Sequence, residues 1–240
     1  MANPTKALLN NERAPVTFGA GFVETSFSEF CDAFASWWKQ LEIDFKTFSF
    51  EAELKDAMLR LEPLQNPQDR HLITETRSRW TAIFSNSRLG SDVTSTVSHL
   101  CKVLGCHGVE IQCSPSLTKR EGNKTSILSY AATSFTLDGP HATEWLNQIR
   151  HVSARKDGAL WKFFQRGKVQ PFEQVEHYEN KHIRDRFTPE MLESYCAALG
   201  ILAFDANFYG PRSSLVNQLT KFPSTSPKMT FQEAQAHLYQ

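Results

Sequence analysis

Residues 146–166 read LNQIRHVSARKDGALWKFFQR, two runs of alternating character joined at Asp157-Gly158. An Asp-Gly pair supplies the positive φ angles of a two-residue type I′ turn, so the stretch predicts a β-hairpin. Pairing about that turn sets Lys156 opposite Ala159, Ala154 opposite Trp161, Val152 opposite Phe163 and His151 opposite Phe164. One face then carries Val152, Ala154, Trp161 and Phe163. The other carries His151, Ser153, Lys162, Phe164 and Arg166. A ribbon with one apolar face needs a larger antiparallel sheet and a covering layer to bury it.

The flanking segments supply both. His71 to Thr76 and Trp80 to Ser85 form a second predicted hairpin, and Val109, Ile111 and Cys113 alternate as a strand. Ile127 to Leu137 reads as a further strand, closed by Asp138-Gly139-Pro140, with a helical turn at His141 to Trp145. Ser26-Phe27-Ser28-Glu29 has capping-box spacing and opens a helix whose Phe27, Phe30, Phe34, Trp37, Trp38 and Leu41 form an aromatic stripe. Trp37 and Trp38 point about 100° apart, so they cannot both lie at the centre of that stripe.

A second helix is expected from about Phe50 to Leu61. A third starts at Asp92 as cap and ends at Gly105, and a fourth runs from Thr188-Pro189 to Gly200. Residues 117–126 and 201–216 read as loops, and 221–228 as a linker. Thr230 and Glu233 have capping-box spacing for a terminal helix that docks or swaps. The order favours an α+β fold with an antiparallel sheet of about five or six strands packed by helices. It is expected as one domain over 1–220, with a helical section at about 26–61, followed by a linker and helix over 221–240.

Composition narrows the function classes. The 240 residues are 40% hydrophobic with 18 Phe and 5 Trp, enough for a sizeable core. Lys plus Arg and Asp plus Glu both number 26, so no net field favours nucleic acid. No stretch approaches the ~18 apolar residues of a membrane span, and no signal peptide is apparent, so a cytoplasmic location is expected. Five irregularly spaced cysteines read as free thiols. His99, Cys101, Cys106, His107 and Cys113 cluster without zinc-knuckle spacing, and no phosphate loop, dinucleotide fingerprint or hydrolase elbow occurs. No metal or cofactor is expected.

Two segments carry chemistry. Arg150, Arg155, Lys156, Lys162, Arg166 and Lys168 make a basic stripe on the hairpin, with Arg150, Lys162, Arg166 and Lys168 the expected contacts to a protein partner. The run 177–186, HYENKHIRDR, is either a solvated helix with Lys181 and Asp185 one turn apart or part of an acid–base site with His151, His182, Arg184 and Asp185. The leading expectation is a non-catalytic protein that binds or inhibits a partner, as small bacterial immunity proteins do, an analogy of architecture alone. The alternative is an enzyme with that His/Arg/Asp site at one end of the sheet.

Overall fold

The computed structural model describes residues 7–121, 124–220, 223 and 226–239. The chain order is β1 (Gly19–Val23), α1 (Phe27–Gln40), β2 (Phe45–Glu51), α2 (Leu54–Leu59), β3 (Arg70–Thr76), β4 (Thr81–Ser85), α3 (Thr94–Leu104) and β5 (Gly108–Ser114). There follow β6 (Leu117–Glu121), β7 (Lys124–Ser129), β8 (Ala132–Thr143), β9 (Leu146–Asp157), β10 (Leu160–Gly167), α4 (Pro189–Ala198), β11 (Tyr209–Gln218) and α5 (Phe231–Tyr239). Nine strands form one sheet in the order β10-β9-β8-β5-β1-β4-β3-β11-β2, and β6 and β7 pair separately. Every neighbouring pair in the large sheet is antiparallel. No helix among the described residues is long and apolar enough to cross a membrane.

Strand alternation divides the core into two layers. Phe22, Leu72, Phe84, Val109, Ile111, Phe135 and Val152 point to one face, where α2, α4 and α5 bring Met58, Leu192, Tyr195 and Phe231. Val23, Ile73, Ile83 and Val216 point to the other, under Phe30, Phe34 and Trp38 of α1 and Val97 and Leu100 of α3. Each fully buried Phe or Leu of these layers contributes roughly 1.5–3 kcal/mol. The α1 stripe resolves the tryptophan pair. Trp38 enters the core, while Trp37 is half-buried and stacks on His99 of α3 at 4.4 Å between ring centroids.

The antiparallel α+β class stands, but the sheet has nine strands rather than five or six. Two were missed. Residues 45–51 form the edge strand β2, which leaves only Leu54–Leu59 of the expected second helix. Residues 209–218 form β11 between β3 and β2, although Gly210-Pro211 read as turn formers. A register shift between Tyr209 and Ser213 takes Pro211 out of the β3 ladder, so its missing N–H costs no ladder bond there. The same device explains β8, which runs through Asp138-Gly139-Pro140 to Thr143 with irregular register on both sides of Asp138 and no helical turn over 141–145.

Other corrections are local. Within the expected 117–126 loop, 117–121 and 124–126 belong to the paired strands β6 and β7. Asp92 does not cap α3, whose N-cap is Val93 without a side-chain bond, whereas Gly105 ends the helix in the left-handed conformation as expected. Residues 177–186 hold two short 3-10 turns, Val175–Glu179 and Ile183–Asp185, and Asp185 pairs with Arg184 at 3.3 Å instead of Lys181. Half of the expected 221–228 linker, residues 221, 222, 224 and 225, lies outside the described residues. The terminal helix docks on its own chain through Phe231, Ala234 and Leu238.

Candidate functional site

The Leu146–Arg166 hairpin forms, with its two faces as read, but its register is moved by two residues. Leu160 lies opposite Asp157, Phe163 opposite Ala154, and Arg166 opposite His151. The turn residues are Gly158 and Ala159, and only Gly158 has positive φ, at 60°, which fits a II′ turn with Gly first rather than I′. A two-residue slip preserves the faces because side chains alternate with period two.

Val152, Ala154, Trp161 and Phe163 pack into the α2/α4 layer. His151, Ser153, Arg155, Phe164 and Arg166 therefore point to the α1/α3 side. Those helices leave the β9–β10 end of that face uncovered. The result is an open cleft of ≈ 450 Å³ floored by the sheet and walled by the 86–93 loop and the start of α3. Glu110, Gln112, Ser134, Thr136, Gln148, His151, Arg155 and Arg166 supply its polar lining. That volume suits a small molecule.

Glu110 and Asp138 sit on adjacent strands at the α3 end of the cleft, with Asp138 fully buried behind. Leu137 faces the opposite core, so alternation turns Asp138 toward α3. Asn147 holds this bulged region to the helix, donating from Nδ2 to the carbonyl oxygens of Gly139 (2.9 Å) and Ser98 (3.1 Å). Thr94 of α3 donates its hydroxyl to Glu110 Oε2 at 2.6 Å. Glu110 Oε1 and both Asp138 oxygens have no other protein donor.

Burial pushes the Glu110 carboxyl up to about 8, and the neighbouring Asp138 charge adds to it. Burial raises Asp138 to about 6, with Glu110, Lys102 and Arg166 pulling the other way. One proton shared between the two carboxyls satisfies both, with Glu110 as its holder at neutral pH.

His151 joins this acid end to a cationic one. Its Nδ1 contacts the Thr136 hydroxyl at 2.9 Å and its Nε2 the Ser153 hydroxyl at 3.1 Å. Burial, with the charges of Arg166, Arg155 and Arg150, holds the imidazole down to about 4, so it is neutral at pH 7. Arg166 lies over the rings of Trp145 and Phe164, 5.4 and 5.8 Å from their centroids, and donates from Nη2 to Gln148.

The residues singled out from the sequence scatter. His151 and Arg166 line the cleft. His182, Arg184 and Asp185 lie at the second 3-10 turn, where the adjacent Arg186 packs over Phe163, on the face opposite His151, so the proposed four-residue site does not assemble. Arg150 leaves the basic stripe altogether. It is 2% exposed, its Nε and Nη2 reach Glu173 at 2.8 and 2.7 Å, and Tyr178 closes the network on Glu173. Lys162 and Lys168 are exposed, with Lys162 paired to Asp157 at 2.5 Å.

Cys101 and Cys106 lie in mutual hydrogen-bond contact and His107 pairs with Glu24, while Cys113 points into the opposite layer. No group of three metal-ligating side chains converges among the described residues. The sequence reading missed Glu110 and Asp138. The available signal was that Val109, Ile111 and Cys113 all point one way, which puts Glu110 on the face that the apolar stripe of α3 must cover. Compared with protein-family models, curated proteins and solved structures, the chain matches none of them.

Proposed function

We propose that the chain is an enzyme that transfers a proton to or from a small polar molecule held against the β5–β8–β9–β10 floor, with Glu110 as the acid–base group. The supporting observation is the Glu110–Asp138 pair, Asp138 buried and Glu110 partly buried, at the wall of a cleft of ligand size. Two carboxyls with no ion-pair partner among the described residues are costly to bury, and a fold that serves stability alone is better off with apolar side chains there. The same burial keeps Glu110 protonated near neutral pH, as a general acid requires. Asp138 accepts the shared hydrogen bond and stabilises the proton on its neighbour. His151, neutral and held between two hydroxyls, orients the ligand without adding charge.

The test is incubation of the full-length protein with a mixture of small polar metabolites, followed by mass spectrometry, alongside Glu110→Gln. The reading expects a compound consumed by the wild-type chain and left intact by the variant, at a rate that falls as pH rises through about 8. A mixture left unchanged by the wild type, or turned over equally by Glu110→Gln, contradicts it.

A protein partner is the second reading, favoured by the β10 edge, where Leu160 is 70% exposed and Phe164 48%. It predicts a stoichiometric partner captured by the wild type and lost from the double variant Lys162→Glu, Lys168→Glu. Capture that is unaffected by these charges removes that edge as the contact.

A further inference from the structure

We infer that the cationic end of the cleft is a subsite for an oxyanion of the ligand, a phosphate or a carboxylate, held by Arg166 and Arg155. The inference rests on the reading of the same cleft as a ligand site and supplies the substrate class.

The two central arginines of this region contrast. Arg150, on one face of β9, has its charge met by the two Glu173 oxygens. Arg166, on the other face of the hairpin, has no ion pair with a carboxylate among the described residues. Its Nη2 is spent on the neutral Gln148, and its Nε is buried with no acceptor. The aromatic rings of Trp145 and Phe164 hold the guanidinium by cation–π contact, and Asp138, the carboxyl on which its charge acts, makes no hydrogen bond with it. A buried donor left unsatisfied is destabilising, and a bound acceptor relieves it.

Arg155 stands four residues beyond His151 on the same face of β9 and also lines the cleft; among the described residues it makes no ion pair with a carboxylate, although its charge acts on Asp157 two residues on. Arg166 and Arg155, together with Arg150 from the opposite face, depress the ionisation of His151. An anion over His151 and Ser153 would meet one guanidinium from each side. Guanidinium forks suit phosphate and carboxylate oxygens through paired N–H donors. Two carboxyls line the same cleft, Glu110, which burial keeps protonated, and Asp92 in the loop before α3. The ligand is thus a small molecule with an oxyanion at one end and its proton-exchanging group toward Glu110.

The experiment is a titration of the full chain with inorganic phosphate and, separately, with acetate, followed by the arginine Nε–H resonances in 15N NMR. A saturable shift of the Arg166 signal is expected with at least one probe, and which probe acts assigns phosphate or carboxylate. Arg166→Met and, independently, the more exposed Arg155→Met should each weaken that binding on the order of tenfold, whereas Lys46→Met on the distant β2 edge should leave it unchanged. The second arginine variant keeps the test valid should Arg166→Met fold poorly. No saturable shift with either probe, or binding that survives Arg155→Met undiminished, overturns the subsite. Because the readout is binding and not turnover, a chain that binds phosphate through these arginines but converts nothing refutes the acid–base reading and leaves the subsite standing.

Discussion

Replacing Glu110 by Gln should flatten the dependence of stability on pH. In the unfolded chain this carboxyl titrates at its ordinary 4.5, and in the folded chain at about 8. Between these values the folded state keeps a proton that the unfolded state has released. Stability is therefore fully present below about 4.5 and is lost as pH rises through about 8. One proton corresponds to roughly 1.4 kcal/mol per pH unit, so the interval from pH 6 to pH 8 sets a ceiling on the order of 3 kcal/mol. Sharing of the proton with Asp138 lowers the effect to about 2 kcal/mol.

Gln keeps the size of the side chain, can accept from Thr94 through its oxygen and can donate to Asp138 through its amide. Urea unfolding followed by tryptophan fluorescence at pH 6, 7 and 8 measures the difference directly. The variant should gain about 2 kcal/mol on the wild type across that range. Parallel stability curves for the two proteins would refute a buried, protonated Glu110, and with it the acid–base reading.

Three further outcomes follow from the packing. Glu173→Ala strands the buried Arg150 guanidinium and should cost about 3–5 kcal/mol in urea unfolding, whereas a loss below about 1 kcal/mol means that water replaces the pair. A Cβ on Gly21 would lie 2.6 Å from Val97 Cγ2 and 2.7 Å from Val93 Cγ2, so Gly21→Ala should push α3 off β1 and cost about 1–3 kcal/mol; an unchanged melting temperature contradicts that close approach. His71 is buried between the Phe34 and Trp38 rings, and burial holds it down to about 4 from 6.5, so it opposes folding as pH falls below 6.5. His71→Phe should therefore lessen the loss of stability between pH 7 and pH 5 by on the order of 1–2 kcal/mol, and equal acid sensitivity in both proteins would show that His71 protonates freely.

Elements whose signals are local were legible in the sequence. The Ser26–Glu29 box opens α1, with Glu29 N–H donating to Ser26 Oγ and Ser26 N–H to Glu29 Oε2, and Thr188 caps α4 at Met191. The alternation of β9 and β10 assigned both faces correctly even with the turn displaced. β2 and β11 were not legible because they become strands only by pairing with each other and, for β11, with β3, a long-range choice that composition does not announce. Asp138-Gly139-Pro140 has the composition of a strand end, and only the observed bulge distinguishes a strand that bends from one that stops.

The site was half legible for the same reason. His151 and Arg166 belong to the readable hairpin, whereas Glu110 and Asp138 acquire their chemistry from the helix packed above them. Arg150 belongs to the stripe by composition and to the interior by position. Residue type alone cannot separate it from Lys162, because the difference lies in which face of β9 meets Glu173.

The most direct measurement is a carbon-13 NMR titration of the side-chain carboxyls in glutamate-labelled protein, wild type beside Glu110→Gln. One Glu resonance with a midpoint near 8, absent from the variant, is the predicted result. If every glutamate carboxyl titrates at or below the ordinary value near 4.5, Glu110 is ionised at neutral pH and cannot serve as the acid in this cleft.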